Sequence, residues 1–138
     1  MTRAGTVVCD VTDPLAGRTA AEFAGALGRR LGLRLVLVSV GSDDERRVAA
    51  IARELGPDTD TRIAAGDHAE TVARVAAEEG ADLVVVGARQ AGLGGRNLRW
   101  ALARELEAAT PVPVLVAPPS TRRRSRRRLA FAAEADPR

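Results

Sequence analysis

Residues 81–119 read ADLVVVGARQAGLGGRNLRWALARELEAATPVPVLVAPP, and this stretch decides the fold. The apolar run Leu83-Val84-Val85-Val86 stops at Gly87. The glycine-rich segment Gly92-Leu93-Gly94-Gly95 follows. Leu98, Leu102 and Leu106 then recur at helical spacing, which predicts a helix from Asn97 to Ala109. Pro111 introduces a second apolar run, Val112 to Val116. Strand, glycine loop, helix, strand is the order in which α/β folds aim backbone N–H groups at a phosphate.

The alternation extends upstream. Thr6 to Cys9 reads as a buried, β-branched strand ending at Asp10. Val11 to Gly17, containing Asp13-Pro14, reads as a loop, with Asp13 in a cap or turn role. A helix is expected from Arg18 to Leu31, buried along Phe23, Leu27 and Leu31 and stopped by Gly32. Leu33 to Val40 is a second strand. Ser42 is the expected N-cap of a helix from Asp43 to Leu55, whose first-turn acids suit the helix dipole. Thr59 to Ala64 is polar enough for an edge strand. Asp67 and Glu70 carry a capping-box spacing at the head of a helix that ends at Gly80. Strands alternating with helices predict an α/β fold with a parallel sheet covered on both faces. Right-handed crossovers then lead to a doubly wound five-stranded sheet. Its ligand cleft would lie at the carboxyl ends of strands one and four, where the strand order reverses.

Composition narrows the chemistry. Apolar residues make up 46% of the 138 and aromatics 2%, so the core must be built of Val, Leu and Ala, suited to close helix-on-sheet packing. All 21 basic residues are arginine, which excludes a Walker-type phosphate lysine, a Schiff base and a lysine general base. The single cysteine, Cys9, excludes an intramolecular disulfide and a multi-cysteine metal site, and its apolar setting makes it a buried strand residue. No apolar stretch reaches signal-peptide or membrane-span length, so a cytoplasmic protein without a membrane partner is expected.

Charge is segregated. Residues 1–121 carry 14 arginines against 16 acids, and residues 122–138 carry seven against two. The organisation expected is a domain over residues 1–119 and a solvated basic tail over 120–138. Arg122, Arg123, Arg124, Arg126, Arg127 and Arg128 could bind a nucleic acid or an acidic partner through counterion release. Interleaved aromatics are absent, so base stacking has no support.

The ordered phrases resemble the universal stress protein family. They are a first strand ending in Asp10, Arg29-Arg30-Leu31-Gly32-Leu33-Arg34-Leu35, Gly66-Asp67-His68-Ala69-Glu70, Glu79 to Gly87, and Thr110-Pro111-Val112-Pro113-Val114-Leu115-Val116. The resemblance spans about residues 5–118. It implies a Rossmann-like fold of the adenine nucleotide alpha hydrolase type with strand order 3-2-1-4-5. It also implies a non-enzymatic stress-response role, and homodimers through the last strand, where Val112, Val114 and Val116 alternate.

Family members that bind ATP carry Gly, two residues, Gly, nine residues, Gly, then Ser or Thr. In the ungapped register Gly87 fills the first position. Gln90 and Trp100 replace the later glycines, and Ala101 replaces the hydroxyl residue. Gln90 brings a side chain where close backbone approach is needed. Trp100 fills a helix N-terminal turn, and Ala101 lacks a donor. The expected site is therefore degenerate, without ATP as a resident cofactor and with Trp100 over the vacated cleft. The alternative is an adenine-nucleotide sensor with a modified site at Asp10, Val40, Gly87, Arg89, Gly92, Gly94 and Gly95, Arg89 and Arg96 flanking a loop of anion-binding N–H groups.

Catalytic and metal readings find no footing. Asp10 and Asp13 hint at a phosphate-accepting receiver domain, but that chemistry also needs an Asp after strand three and a Lys, and strand three ends Ala64-Ala65-Gly66. His68, the single histidine, is expected to be an exposed residue in a helix first turn. No Gly-x-Ser-x-Gly, Cys/His or HExxH pattern supplies a nucleophile or a metal set.

Overall fold

A computed structural model describes residues 5–41, 44–88 and 98–118, with side chains of the last segment from Ala101 onward. Five parallel strands form one sheet: β1 (Thr6–Asp10), β2 (Arg34–Val40), β3 (Thr59–Ala64), β4 (Leu83–Gly87) and β5 (Val114–Ala117). Their order is β3-β2-β1-β4-β5, as expected. The helices are α1 (Pro14–Leu31), α2 (Glu45–Leu55), α3 (His68–Glu78) and α4 (Leu98–Ala109).

The period-two alternation of the strands sorts the core into two layers. Val7, Cys9, Leu35, Leu37 and Val85 face α1 and α2. Val8, Val36, Val38, Val84 and Val86 face α3 and α4, where Val72, Val75 and Leu106 are fully buried. β1 lies at the centre and β3 at an edge, where Asp60, Thr61 and Ile63 are exposed.

α1 departs from its expected form in two ways. It starts at Pro14, four residues earlier, because Asp13-Pro14 is a helix start and not a loop. Asp13 accepts hydrogen bonds from Leu15 N at 3.0 Å and Ala16 N at 2.9 Å, and proline suits the first helical position. Its buried face is Gly17, Ala20, Ala21, Ala24, Gly25 and Gly28, while Leu31 is 63% exposed. Small residues win because the helix lies so close to the sheet. A Cβ on Gly17 would stand 2.6 Å from Val11 Cα. Phe23 packs at the rim of this layer.

α2 starts at Glu45 behind Asp44; Ser42 and Asp43, the expected cap and first helical residue, lie outside the described residues. Asp67 caps α3 by accepting from Glu70 N at 3.2 Å. β5 begins at Val114, not Val112. Pro113 lacks an N–H, and its carbonyl accepts from Val84 N at 2.9 Å just before the strand. Val112, Val114 and Val116, partly buried, pack against the α3/α4 layer, and Leu115 is exposed at 37%.

Glu79 ties β2 and β3 to the end of α3. It accepts from Arg34 at 2.9 Å and from Arg62 at 2.7 Å, while Arg34 reaches Asp60 and Arg62 reaches Glu78. The two guanidiniums hold the Glu79 carboxyl below its usual range.

Candidate functional site

The carboxyl ends of β1 and β4 meet at the reversal of strand order, the place where open α/β sheets take ligands. Asp10, the last residue of β1, is 5% exposed. A carboxylate so deep needs donors at each oxygen. Oδ1 accepts from Thr12 Oγ1 at 2.6 Å and from Thr12 N at 3.2 Å. Oδ2 pairs with His68 Nε2 at 2.8 Å.

Thr12 also serves the neighbouring strand. Its Oγ1 accepts the Val40 N–H at 3.0 Å. One hydroxyl thus donates to the end of β1 and accepts from the end of β2. Arg47 of α2 fixes the same turn by donating to the Val11 carbonyl at 2.8 Å.

Gly87 ends β4. Its conformation is not the reason for glycine, since its φ is not among the positive ones. The reason is contact. A Cβ there would collide with the Ala16 carbonyl oxygen and stand 2.6 Å from the carbonyl carbon. The capped first turn of α1 lies directly on Gly87.

The structure therefore brings Asp10, Val40 and Gly87 to one end of the sheet and gives each an internal partner. Ala101 lies half-buried in α4. Arg89, Gln90, Gly92, Gly94, Gly95 and Arg96, the side chain of Trp100, and the tail arginines 122–128 lie outside the described residues.

Sequence reasoning missed Thr12 and misjudged His68. His68 is not a free surface residue. It heads α3, is half-buried, and reaches across 58 positions to Asp10. Asp-x-Thr is the spacing at which such side chains bond locally, and it was the available signal for Thr12. Nothing local marks the His68 contact. Burial pushes the Cys9 thiol well up, and the Asp10 charge adds to it, so the one described cysteine has no nucleophilic character. Among the described residues there is no cluster of three metal-ligating side chains and no helix long and apolar enough to cross a membrane. An open groove of about 660 Å³ lies at the opposite strand ends, between Gly28, Leu33, Leu55 and Asp58, away from the cleft.

A family model described as the universal stress protein family matches residues 42–118. A search of curated proteins gave no match. Among solved structures, a universal stress protein in complex with cAMP aligns with a TM-score of 0.68 at 22% identity, covering 86% of this chain and 100% of that one. UspA from Lactobacillus plantarum aligns at 0.63 and 16% identity, covering 86% and 100%. The Archaeoglobus fulgidus protein in complex with dAMP aligns at 0.59 and 16%, with the same coverage. At these identities the likeness establishes the fold.

Proposed function

The chain belongs to the universal stress protein family, and we propose that it acts there as a non-enzymatic regulatory protein of the stress response with a degenerate nucleotide site. One observation carries this reading: the described groups that would meet a nucleotide are already satisfied from within. Asp10 is held by Thr12 and His68, the Val40 N–H by Thr12, and Gly87 is filled against by Ala16. A ligand would have to displace these bonds before making its own. The altered motif positions Gln90, Trp100 and Ala101 point the same way. Two proteins of similar fold are in complex with cAMP and dAMP, so the competing reading is an adenine-nucleotide sensor with a modified loop. Isothermal titration with ATP separates the two. No heat at millimolar ATP is expected, and sub-millimolar affinity would overturn the degenerate-site reading.

Two partner proposals accompany it. β5 pairs with β4 and, among the described residues, with no other strand, with Leu115 partly exposed, which supports strand-to-strand homodimers. Light scattering at micromolar concentration is expected to give twice the 14.5 kDa chain mass, and a monomer would refute this. Binding of a nucleic acid or an acidic partner is assigned to the tail arginines, so deletion of residues 122–138 should abolish any salt-sensitive DNA or RNA binding.

A further inference from the structure

We infer that His68 is a gate on the cleft, competing with ligand for Oδ2 of Asp10. The inference rests on the reading of this cleft as the family's nucleotide cleft.

The geometry makes one carboxylate oxygen the contested atom. Oδ1 is committed to Thr12, two residues away on the same turn. Those two bonds come with the fold of the turn and hold the carboxylate plane in place. Oδ2 is held from a different element, by the imidazole at the first residue of α3. Exposure falls from 35% at the His68 side chain to 6% at that of Asp10, so the ring lies on the solvent side of the carboxylate.

The bond is strong enough to matter and local enough to open. A hydrogen bond to a charged acceptor is worth about 10- to 100-fold in an equilibrium. Rotating the side chain between staggered wells breaks it, together with the other interaction that His68 makes. Once freed, Oδ2 has two lone-pair directions for donors, which suits a ribose hydroxyl or an exocyclic amine. An uncharged nucleoside carries both groups and makes no demand on the altered phosphate loop. His68 thus sets the affinity for the nucleoside moiety.

Full-length wild type, His68→Ala, His68→Gln and the double variant His68→Ala/Asp10→Asn are titrated calorimetrically with adenosine, with thermal unfolding run on each. Removing the gate should raise adenosine affinity by at least about 10-fold over wild type. Glutamine can still donate to Oδ2 and should behave as wild type. The double variant should lose the gain. A folded His68→Ala protein that binds no better than wild type overturns the gate, as does a gain that survives Asp10→Asn. Should His68→Ala not fold, His68→Ser takes its place under the same criteria. Wild-type binding of ATP at sub-millimolar concentration would overturn the degenerate-loop reading but not the gate, which is read from the ratio of the variants with adenosine.

Discussion

Gly87 is the one ATP-motif residue in register, and substitution by alanine separates its two explanations. A Cβ at this position would stand 2.6 Å from the Ala16 carbonyl carbon, where carbon contacts settle at about 3.5–4.0 Å. The first turn of α1 would have to retreat by about 1 Å. That turn has little freedom, because Asp13 caps it through two bonds and Gly17 rests on the Val11 backbone one turn on. Overpacking of this kind costs about 1–3 kcal/mol. Gly87 lacks a positive φ, so alanine adds no strain of its own and the whole effect is contact. About 2 kcal/mol corresponds to roughly 6–10 °C in Tm for a domain of this size, or about 1 M in urea midpoint. Calorimetry and urea titration of the ligand-free Gly87→Ala protein measure it. A loss below about 0.5 kcal/mol would refute the steric account and return Gly87 to a role in ligand binding.

Three further outcomes follow from bonds already described. Thr12→Val keeps the shape but strips the Val40 N–H of its acceptor and Asp10 of its shortest donor, and should destabilise by about 1–3 kcal/mol in urea unfolding, with Thr12→Ser near wild type. Glu79 has a depressed folded pKa, so its contribution is present above the ordinary glutamate pKa of about 4.3 and is lost as the pH falls through the folded value. Glu79→Gln should therefore be less stable than wild type at pH 6 by about 1 kcal/mol, its pairs being partly exposed, and the gap should close in the acid limb. The raised pKa of Cys9 keeps the folded thiol protonated where the unfolded thiol ionises, above about pH 8.5. Stability should fall as the pH rises past that point, iodoacetamide should label Cys9 only on unfolding, and Cys9→Ala should flatten the alkaline limb.

The strand–helix alternation was plain in the sequence because it depends on local periodicity and on stops such as Gly32 and Gly80. Crossover handedness led from it to a doubly wound sheet, and the order β3-β2-β1-β4-β5 came from the family resemblance. The buried stripe of α1 was misread for a physical reason. Reading by size selects Phe23, Leu27 and Leu31, but a helix pressed onto a sheet buries whatever lets it come nearest, which is glycine and alanine. The start of β5 turned on one missing N–H at Pro113. In the cleft, Asp10, Val40 and Gly87 were legible as positions, whereas what occupies them was not. The partners of Asp10 lie two and 58 residues away. The nearer had a recognisable spacing, and the farther arises from the fold alone.

The two faces of the sheet are built on opposite terms, and a mutational scan should divide along that line. Beneath α1 the buried residues are glycine and alanine, and Gly17 leaves no room against the Val11 backbone, so enlargement is the damaging change and there is little left to truncate. Beneath α3 and α4, Val72, Val75, Val84, Val86 and Leu106 fill the space with bulk, and truncation would open cavities there. One protein would thus tolerate opposite kinds of drift on its two sides. The side intolerant of growth also carries Gly87, so the close approach of α1 that excludes bulk at Gly17 excludes a side chain there as well.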